Sequence, residues 1–187
     1  MSHPEVLLTP LLMLTDYYLT LLCAVLKEKR YDACFKTEHF ELNPMWRSDV
    51  AQKKWFNVRH LALTSLLSAA LIWTVGYGGL PTEFIDCMLG ALFVVYGLVI
   101  GRHLSNITFF VYINRRPSEI SGQVTMSHPL VMALSMSHTL VVALPLIAVA
   151  LSAPGPFVNG GLLGVVVFLI VHLFWLGRYT LRRKNVE

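Results

Sequence analysis

This sequence is short of charge. Asp, Glu, Lys and Arg make up 14% of its 187 residues, against 55% hydrophobic residues, whereas an ordinary soluble domain is about a quarter charged. The balance leaves little material for a water-soluble domain beside a membrane one. Cysteine is scarce as well. Cys23, Cys34 and Cys87 stand far apart with no C-x-x-C spacing, which excludes a disulfide framework and a thiolate metal knuckle. Neither H-E-x-x-H nor C-x-x-C-H occurs, so the signatures of zinc peptidases and of covalently attached haem are missing too. No nucleophile, base and orienting group can be assembled from the pattern, and the chain reads as a non-enzyme without a cofactor.

The most informative absence is positional. Apolar stretches at 6–26, 60–79, 83–101, 129–153 and 157–177 each approach the ~20 residues that a bilayer core requires. The connections 76–83 and 152–161 contain no Lys or Arg. All fifteen basic residues fall on the other side: eight between the first two stretches (Lys27 to Arg59), Arg102, Arg115 and Arg116 after the third, and Arg178, Arg182, Arg183 and Lys184 after the fifth. The positive-inside rule then predicts an outside N-terminus and a cytoplasmic C-terminus. The fold class that follows is all-α, an integral membrane bundle of five transmembrane helices in one domain over 1–187, with a cytoplasmic cap from 27–59 and 102–125. A sequence pI near 9.1 reflects basic residues beside helix ends, where anionic lipid headgroups attract them, and no nucleic-acid partner is expected. The first stretch lacks a basic leader and contains Asp16, so it reads as a retained helix and not a cleaved signal.

Within that frame the polar residues are few enough to weigh singly. Thr9, Asp16, Thr20 and Cys23 recur at helical spacing on one stripe of the first helix, which should face protein. Asp16 stands near mid-span, where an aspartate costs ~2.5 to 3.5 kcal/mol. His138 is its expected partner by depth. The two form, with Thr20, a candidate intramembrane polar site for a proton, a cation or a small solute; the structural alternative is a neutral carboxyl that pins helices together. His138 belongs to a short repeat, 126–134 against 136–144. An offset of ten residues leaves His128 and His138 about 80° from sharing a face, so the repeat is not architectural.

At the cap, Glu41-Leu42-Asn43-Pro44 reads as a helix start, since Asn is a good N-cap and Pro is favoured at the first helical position. The spacing predicts a helix running through Trp46 and Trp55 into the second span. The third span continues past Gly101 through a second apolar run, Ile107 to Ile113. A helix over 81–114 would be about 50 Å long against a core of ~30 Å, so its end should emerge and pack Phe109, Phe110 and Tyr112 on the 44–59 helix. Glu41, Asn43, Arg102 and Asn106 are the candidate polar residues of this cap, with Arg102 pairing with Glu38, Glu41 or Asp49. Gly90, Gly97 and Gly101, and Gly160 with Gly164, are candidate close-packing positions, because small residues let helices approach in lipid. His60, His103, His128 and His172 stand at helix ends at similar depth, a weak alternative set for haem or a metal.

Asp16 and Thr20 followed by Glu41, Asn43 and Pro44 form a D-x-x-x-T then E-x-N-P pattern over about the first 45 residues. The pattern resembles small uncharacterised polytopic membrane families of bacteria and archaea. That resemblance implies a membrane domain and nothing about activity or substrate; the expected location is the cytoplasmic membrane of a prokaryote. The expected function is a proton, cation or small-solute conduit or a transporter-like subunit. The alternatives are a non-catalytic accessory subunit of a larger membrane complex and a haem or metal protein. Expected partners are the bilayer and either further copies of the chain or other membrane subunits. The one-sided basic residues make a direct prediction: a reporter fused after Glu187 will behave as cytoplasmic, and one placed in the 152–161 connection as external. A reporter reading on the same side at both positions would refute the topology.

Overall fold

Proline and asparagine set where the apolar runs start to coil. The computed structural model describes residues 3–37 and 43–184, with side chains through Leu181. Pro4 opens a 3-10 turn (Pro4–Leu8) that leads into α1 (Thr9–Leu26), with Pro10 in its first turn, where the missing N–H costs nothing. The chain runs on through a π turn (Lys27–Tyr31), kinked at Lys29, into the single turn α2 (Asp32–Cys34) and the short strand β1 (Phe35–Thr37). Then come α3 (Arg47–Ala51), α4 (Val58–Tyr77) and α5 (Thr82–Arg115). A 3-10 turn (Pro117–Glu119), β2 (Val124–Met126), α6 (His128–Ser152) and α7 (Pro156–Lys184) complete it. Among the described residues five helical segments, Pro4–Cys34, α4, α5, α6 and α7, are long and apolar enough to cross a bilayer. The boundaries differ from the expected spans by a few residues, and α5, 34 residues long, is the expected overlong helix of about 50 Å.

The helices form an arc in the order α4, α1, α5, α7, α6. Side-chain pairings give their directions. Val6 packs with Ile85 and Leu89 while the Leu26 carbonyl meets Asn114, and Gly160 and Gly164 meet Cys87 and Ala91, so α1, α5 and α7 are parallel. Tyr17 stacks on His60 while Val6 packs with Val75, and Ser135 and His128 meet His172 and Tyr179, so the flanking α4 and α6 run the opposite way. One end of the arc, the far end, is closed by buried Val6, Val75, Ile85 and Leu89.

At the cap end the emergent part of α5 meets the segment after α1, not the 44–58 region. Tyr31 and Phe35 stack at 4.8 Å and hold Phe109 and Phe110, while Tyr112 donates to Glu119 at 2.5 Å. Asn114 ties the two together, donating to the Leu26 carbonyl and accepting from the Arg30 and Tyr31 amides. β1 and β2 then pair in parallel, Phe35 opposite Val124 and Thr37 opposite Met126. The expected continuous helix over 44–58 is not formed. Asn43 accepts from the Met45 amide and its carbonyl from Trp46, a turn built by the same short polar side chain that also makes N-caps. α3 ends before Lys53, whose φ of 51° is left-handed and breaks the coil. The working cap is Asn57, which accepts from the His60 amide at 3.1 Å and starts α4. Glu38 and Glu41 lie outside the described residues, and Asn106 is half-buried on α5.

The glycine expectation divides in two. A Cβ on Gly90 would run into the Phe157 carbonyl, one on Gly160 into that of Cys87, and one on Gly164 would stand 2.7 Å from the Ala91 carbonyl. These residues seat α7 directly on the backbone of α5. Gly97 and Gly101 meet nothing within 4 Å, so the Gly90, Gly97, Gly101 stripe is not the seam. Spacing fixes which residues share a face, not how far along it the neighbour is in contact. Gly160→Leu should therefore destabilise by about 1 to 3 kcal/mol or more through overpacking, and Gly97→Leu should stay within about 0.5 kcal/mol of the parent. Thermal unfolding of both variants in detergent measures the contrast, and equal effects would refute the assignment of the seam.

Candidate functional site

A buried tyrosine begins the site. Tyr17 on α1 donates to the Lys54 carbonyl at 2.8 Å and accepts from Asn57 at 3.0 Å, and the Asn57 amide also donates to Asp49 at 3.0 Å. Lys54 completes the set by donating to Asp49 at 2.7 Å. Each buried polar atom here has a partner, as a low-dielectric interior demands. The Tyr17 ring lies 4.1 Å from the His60 ring, Trp46 meets His60 edge-on at 5.1 Å, and the Arg59 guanidinium sits 5.2 Å over Trp46. The loop 43–57 thereby fixes His60 as a wall of the site.

Asp16 points into the protein, and its partner is His103, not His138. His103 Nε2 lies 3.1 Å from Asp16 Oδ1 and 3.0 Å from Thr20 Oγ1. Thr20 gives its own proton to the Asp16 carbonyl at 2.9 Å. The hydroxyl is then free to accept, so the tautomer that satisfies both contacts carries the proton on Nε2 of His103. His138 is exposed on α6. His138 is the partner by depth only if the third span ends at Gly101, which puts His103 at the membrane edge. In a helix that continues to Arg115, His103 lies about 18 Å from the end, level with Asp16.

A second chain of polar groups joins three helices. Arg102 donates to Ser135 Oγ on α6, and Ser135 stands 3.4 Å from His172 Nε2 on α7. His172 Nδ1 lies 2.9 Å from the Phe168 carbonyl, which can only accept. Nδ1 therefore carries the proton, Nε2 accepts from Ser135, and Ser135 presents its lone pairs to Arg102. Asp49, one of the three acidic partners expected for Arg102, is held by Lys54 and Asn57 instead, and the other two, Glu38 and Glu41, lie outside the described residues.

Between these chains lies a cavity of about 750 Å³. Asp16, Tyr17 and Thr20 line it from α1, Asn43 and Trp46 from the loop, His60 from α4, Arg102 and His103 from α5, and His172 and Trp175 from α7. Its volume is typical of a small-molecule site. Three of the four histidines proposed as a haem or metal set line this one space, while His128 packs against Tyr179 at 4.8 Å outside it. Among the described residues no three of His, Cys, Asp and Glu converge as a metal site requires.

Cys23, His103 and Asp16 stand in the order of a nucleophile, base and orienting carboxylate, with Cys23 Sγ 3.9 Å from His103 Nδ1. Access decides against that chemistry. Cys23 is 0% exposed, packs with Tyr31, Phe110 and Ile113, and is not among the residues lining the cavity; its thiol also lies within reach of the His103 carbonyl at 3.5 Å. Arg102, Ser135, His172 and the Tyr17 set were not assembled by sequence reasoning. The one signal available for them was the 34-residue helix itself, which moves Arg102 and His103 inward together. No protein-family model, no curated protein and no solved structure matches this chain.

The wall built on Asp49 is sensitive to acid. The Lys54 ammonium hydrogen-bonded to its carboxylate, with the Asn57 amide, holds Asp49 below the usual aspartate range. A depressed folded pKa contributes stability that is fully present above the unfolded value, about 3.9, and is lost as pH falls through the lower folded one. Acid unfolding below about pH 4 should therefore be shallower in Asp49→Asn than in the parent, measured by tryptophan fluorescence. An identical acid limb in both proteins would refute the linkage.

Proposed function

We propose that this chain is an integral membrane protein that holds a small solute at an intramembrane polar site, the ligand-binding part of a transporter-like role. The observation that carries the reading is the cavity of about 750 Å³, with Asp16, His60, Arg102, His103 and His172 on its walls. Ionisable residues at such depth are expensive, and their usual justification is a site or pathway. Exposed Leu140, Val141, Leu144 and Leu151 on α6 suit contact with acyl chains. The basic residues would place the cap end in the cytoplasm, in the cytoplasmic membrane of a prokaryote. A binding role is better supported than an open conduit, because the far end is filled by Val6, Val75, Ile85 and Leu89. The reading involves no bond-making step.

A second reading, proton movement through the Asp16–His103 pair, is favoured by one feature of the α1–α4 seam. Thr64, Ser68 and Thr9 are buried there in line with His60, and the hydroxyls of Ser68 and Thr9 have no hydrogen-bond partner within the described protein. Proton flux into liposomes that is abolished by Asp16→Asn would favour it over the first.

The binding reading predicts that the protein carries a small molecule through purification. Native mass spectrometry should show an adduct of several hundred daltons on the parent, reduced or lost in Val95→Trp, which narrows the cavity at the middle of its length. A bare parent mass, or the same adduct on a well-folded Val95→Trp, would refute the proposal.

A further inference from the structure

The cavity is divided along its length. Every Asp, His and Arg that lines it stands at the cap end, and beyond Tyr96 towards the far end the lining is apolar, from Leu63 and Leu67 through Leu92 and Val95 to Leu163 and Val167. On α5 the lining runs from Met88 to His103, about 22 Å of helix at 1.5 Å per residue. A compact polar solute would use only the first part of that length, and a hydrocarbon chain would use the rest. The wall between α4 and α7 is also open, because α4 packs on α1, and α7 on α5 and α6. Leu67 on the one and Leu163 on the other line the cavity and are half-exposed.

Two groups of rings stand on opposite sides of the polar end. Tyr17, Trp46 and His60 form one, with the Tyr17 and His60 rings stacked at 4.1 Å and Trp46 edge-on to both. Phe168, His172 and Trp175 form the other, one turn apart along α7, with successive ring centroids separated by 4.3 and 5.5 Å. All six line the cavity. Walls of this kind accept a flat ring between them, by offset stacking or edge contact. Asp16 supplies the polar contact. Its Oδ1 lies against His103 Nε2, and its second oxygen has no partner among the described residues. The Asp16 side chain is 33% exposed against 5% for His103, so the second oxygen is the part that the cavity meets. It can accept a hydrogen bond from a hydroxyl. Asp16 and Arg102 both line this end, so a head with a net charge of either sign would lie beside a group of its own sign, and a neutral head would not.

We infer that the occupant is a neutral lipid whose head is a hydroxylated aromatic ring, seated between the two groups of rings with its hydroxyl donating to Asp16 and its one hydrocarbon chain along the apolar wall. This rests on the binding reading above and names the class of its ligand. His103 positions the carboxylate, and Val95 and Leu163 border the chain.

The test uses the full chain in phosphatidylcholine vesicles, titrated with para-dodecylphenol, and with para-dodecylanisole, dodecanol, dodecylammonium, laurate and phenol as comparison probes. Tryptophan fluorescence follows binding, since Trp46 and Trp175 line the polar end. Para-dodecylphenol should bind saturably, at least tenfold more tightly than para-dodecylanisole, whose ether cannot donate, and more tightly than dodecanol, the two charged probes or phenol. Asp16→Asn, which puts an amide where the free oxygen stood, and Val95→Trp should each weaken it at least tenfold. A melting temperature for each variant separates loss of binding from loss of fold. Para-dodecylanisole binding as tightly as para-dodecylphenol, or a folded Asp16→Asn with parental affinity, would overturn the hydrogen-bonded hydroxyl. Dodecanol binding as tightly would overturn the ring, and dodecylammonium or laurate binding as tightly would overturn the neutral head. Phenol binding as tightly and indifferent to Val95→Trp would overturn the chain while leaving a solute site in place. If no probe binds although the purified protein carries its adduct, this inference alone falls; if the adduct is missing too, both fall.

Discussion

The close approach of α5 and α7 is the constraint on which the rest of the structure depends. Gly90, Gly160 and Gly164 leave no room for a side chain between the two backbones, and in a chain with so little to drive helices together except packing, backbone proximity is what joins them. Two parallel helices fixed in this way make a rigid central rib. α1 is bound to one side of it through His103 and Asn114, and α6 to the other through Ser135 and Tyr179. α4 touches the rib least and leans on α1. The cavity exists because the outer members of the arc are held from their own sides and not across the gap.

Polar groups obey a second rule, which determines where each one points. Three short hydrogen-bond chains, Tyr17–Asn57–Asp49–Lys54, Asp16–His103–Thr20 and Arg102–Ser135–His172, each cross between elements distant in sequence. In a low-dielectric surrounding an unpaired member of any chain would cost as much as the pairing contributes. Loss of one residue should therefore disturb its chain as a unit, and because Asp16 and Tyr17 are neighbours on α1 and Arg102 and His103 on α5, the three chains share the helices that carry them.

What was legible in the sequence was whatever depends on local periodicity. Asp16, Thr20, Thr9 and Cys23 share a stripe by spacing alone, and Thr9, Thr20 and Cys23 are indeed buried with Asp16 half-buried. The overlong α5 followed from its two successive apolar runs, and the close-packing role of Gly160 and Gly164 from their spacing. The identity of Asp16's partner did not follow, because it depends on the relative height of two helices, and an error of a turn or two at the end of one span exchanges His103 for His138. The 44–58 helix failed for a different reason. Asn followed by Pro stabilises a turn as readily as a helix start, and only the left-handed backbone at Lys53, which no neighbour in the sequence announces, separates the two. The outcome at Gly97 and Gly101 was hidden because a face can be read from one helix and its neighbour cannot.

The direction of the helices has an electrostatic consequence. α1, α5 and α7 run parallel, with α4 and α6 opposed, so the peptide dipoles do not cancel and one helix's worth remains, its negative end at the cap. Partial negative charge at helix C-termini is stabilised by cations in the last turn or just beyond. Lys27 follows α1 directly, Arg115 closes α5 with Arg116 beside it, and Arg178 stands in the closing turns of α7. The basic residues of the cap therefore lie at the negative pole of the bundle. Charge swapped from the cap to the far end would meet the wrong pole, so the placement of these residues answers the direction of the helices themselves and not only the composition of the loops.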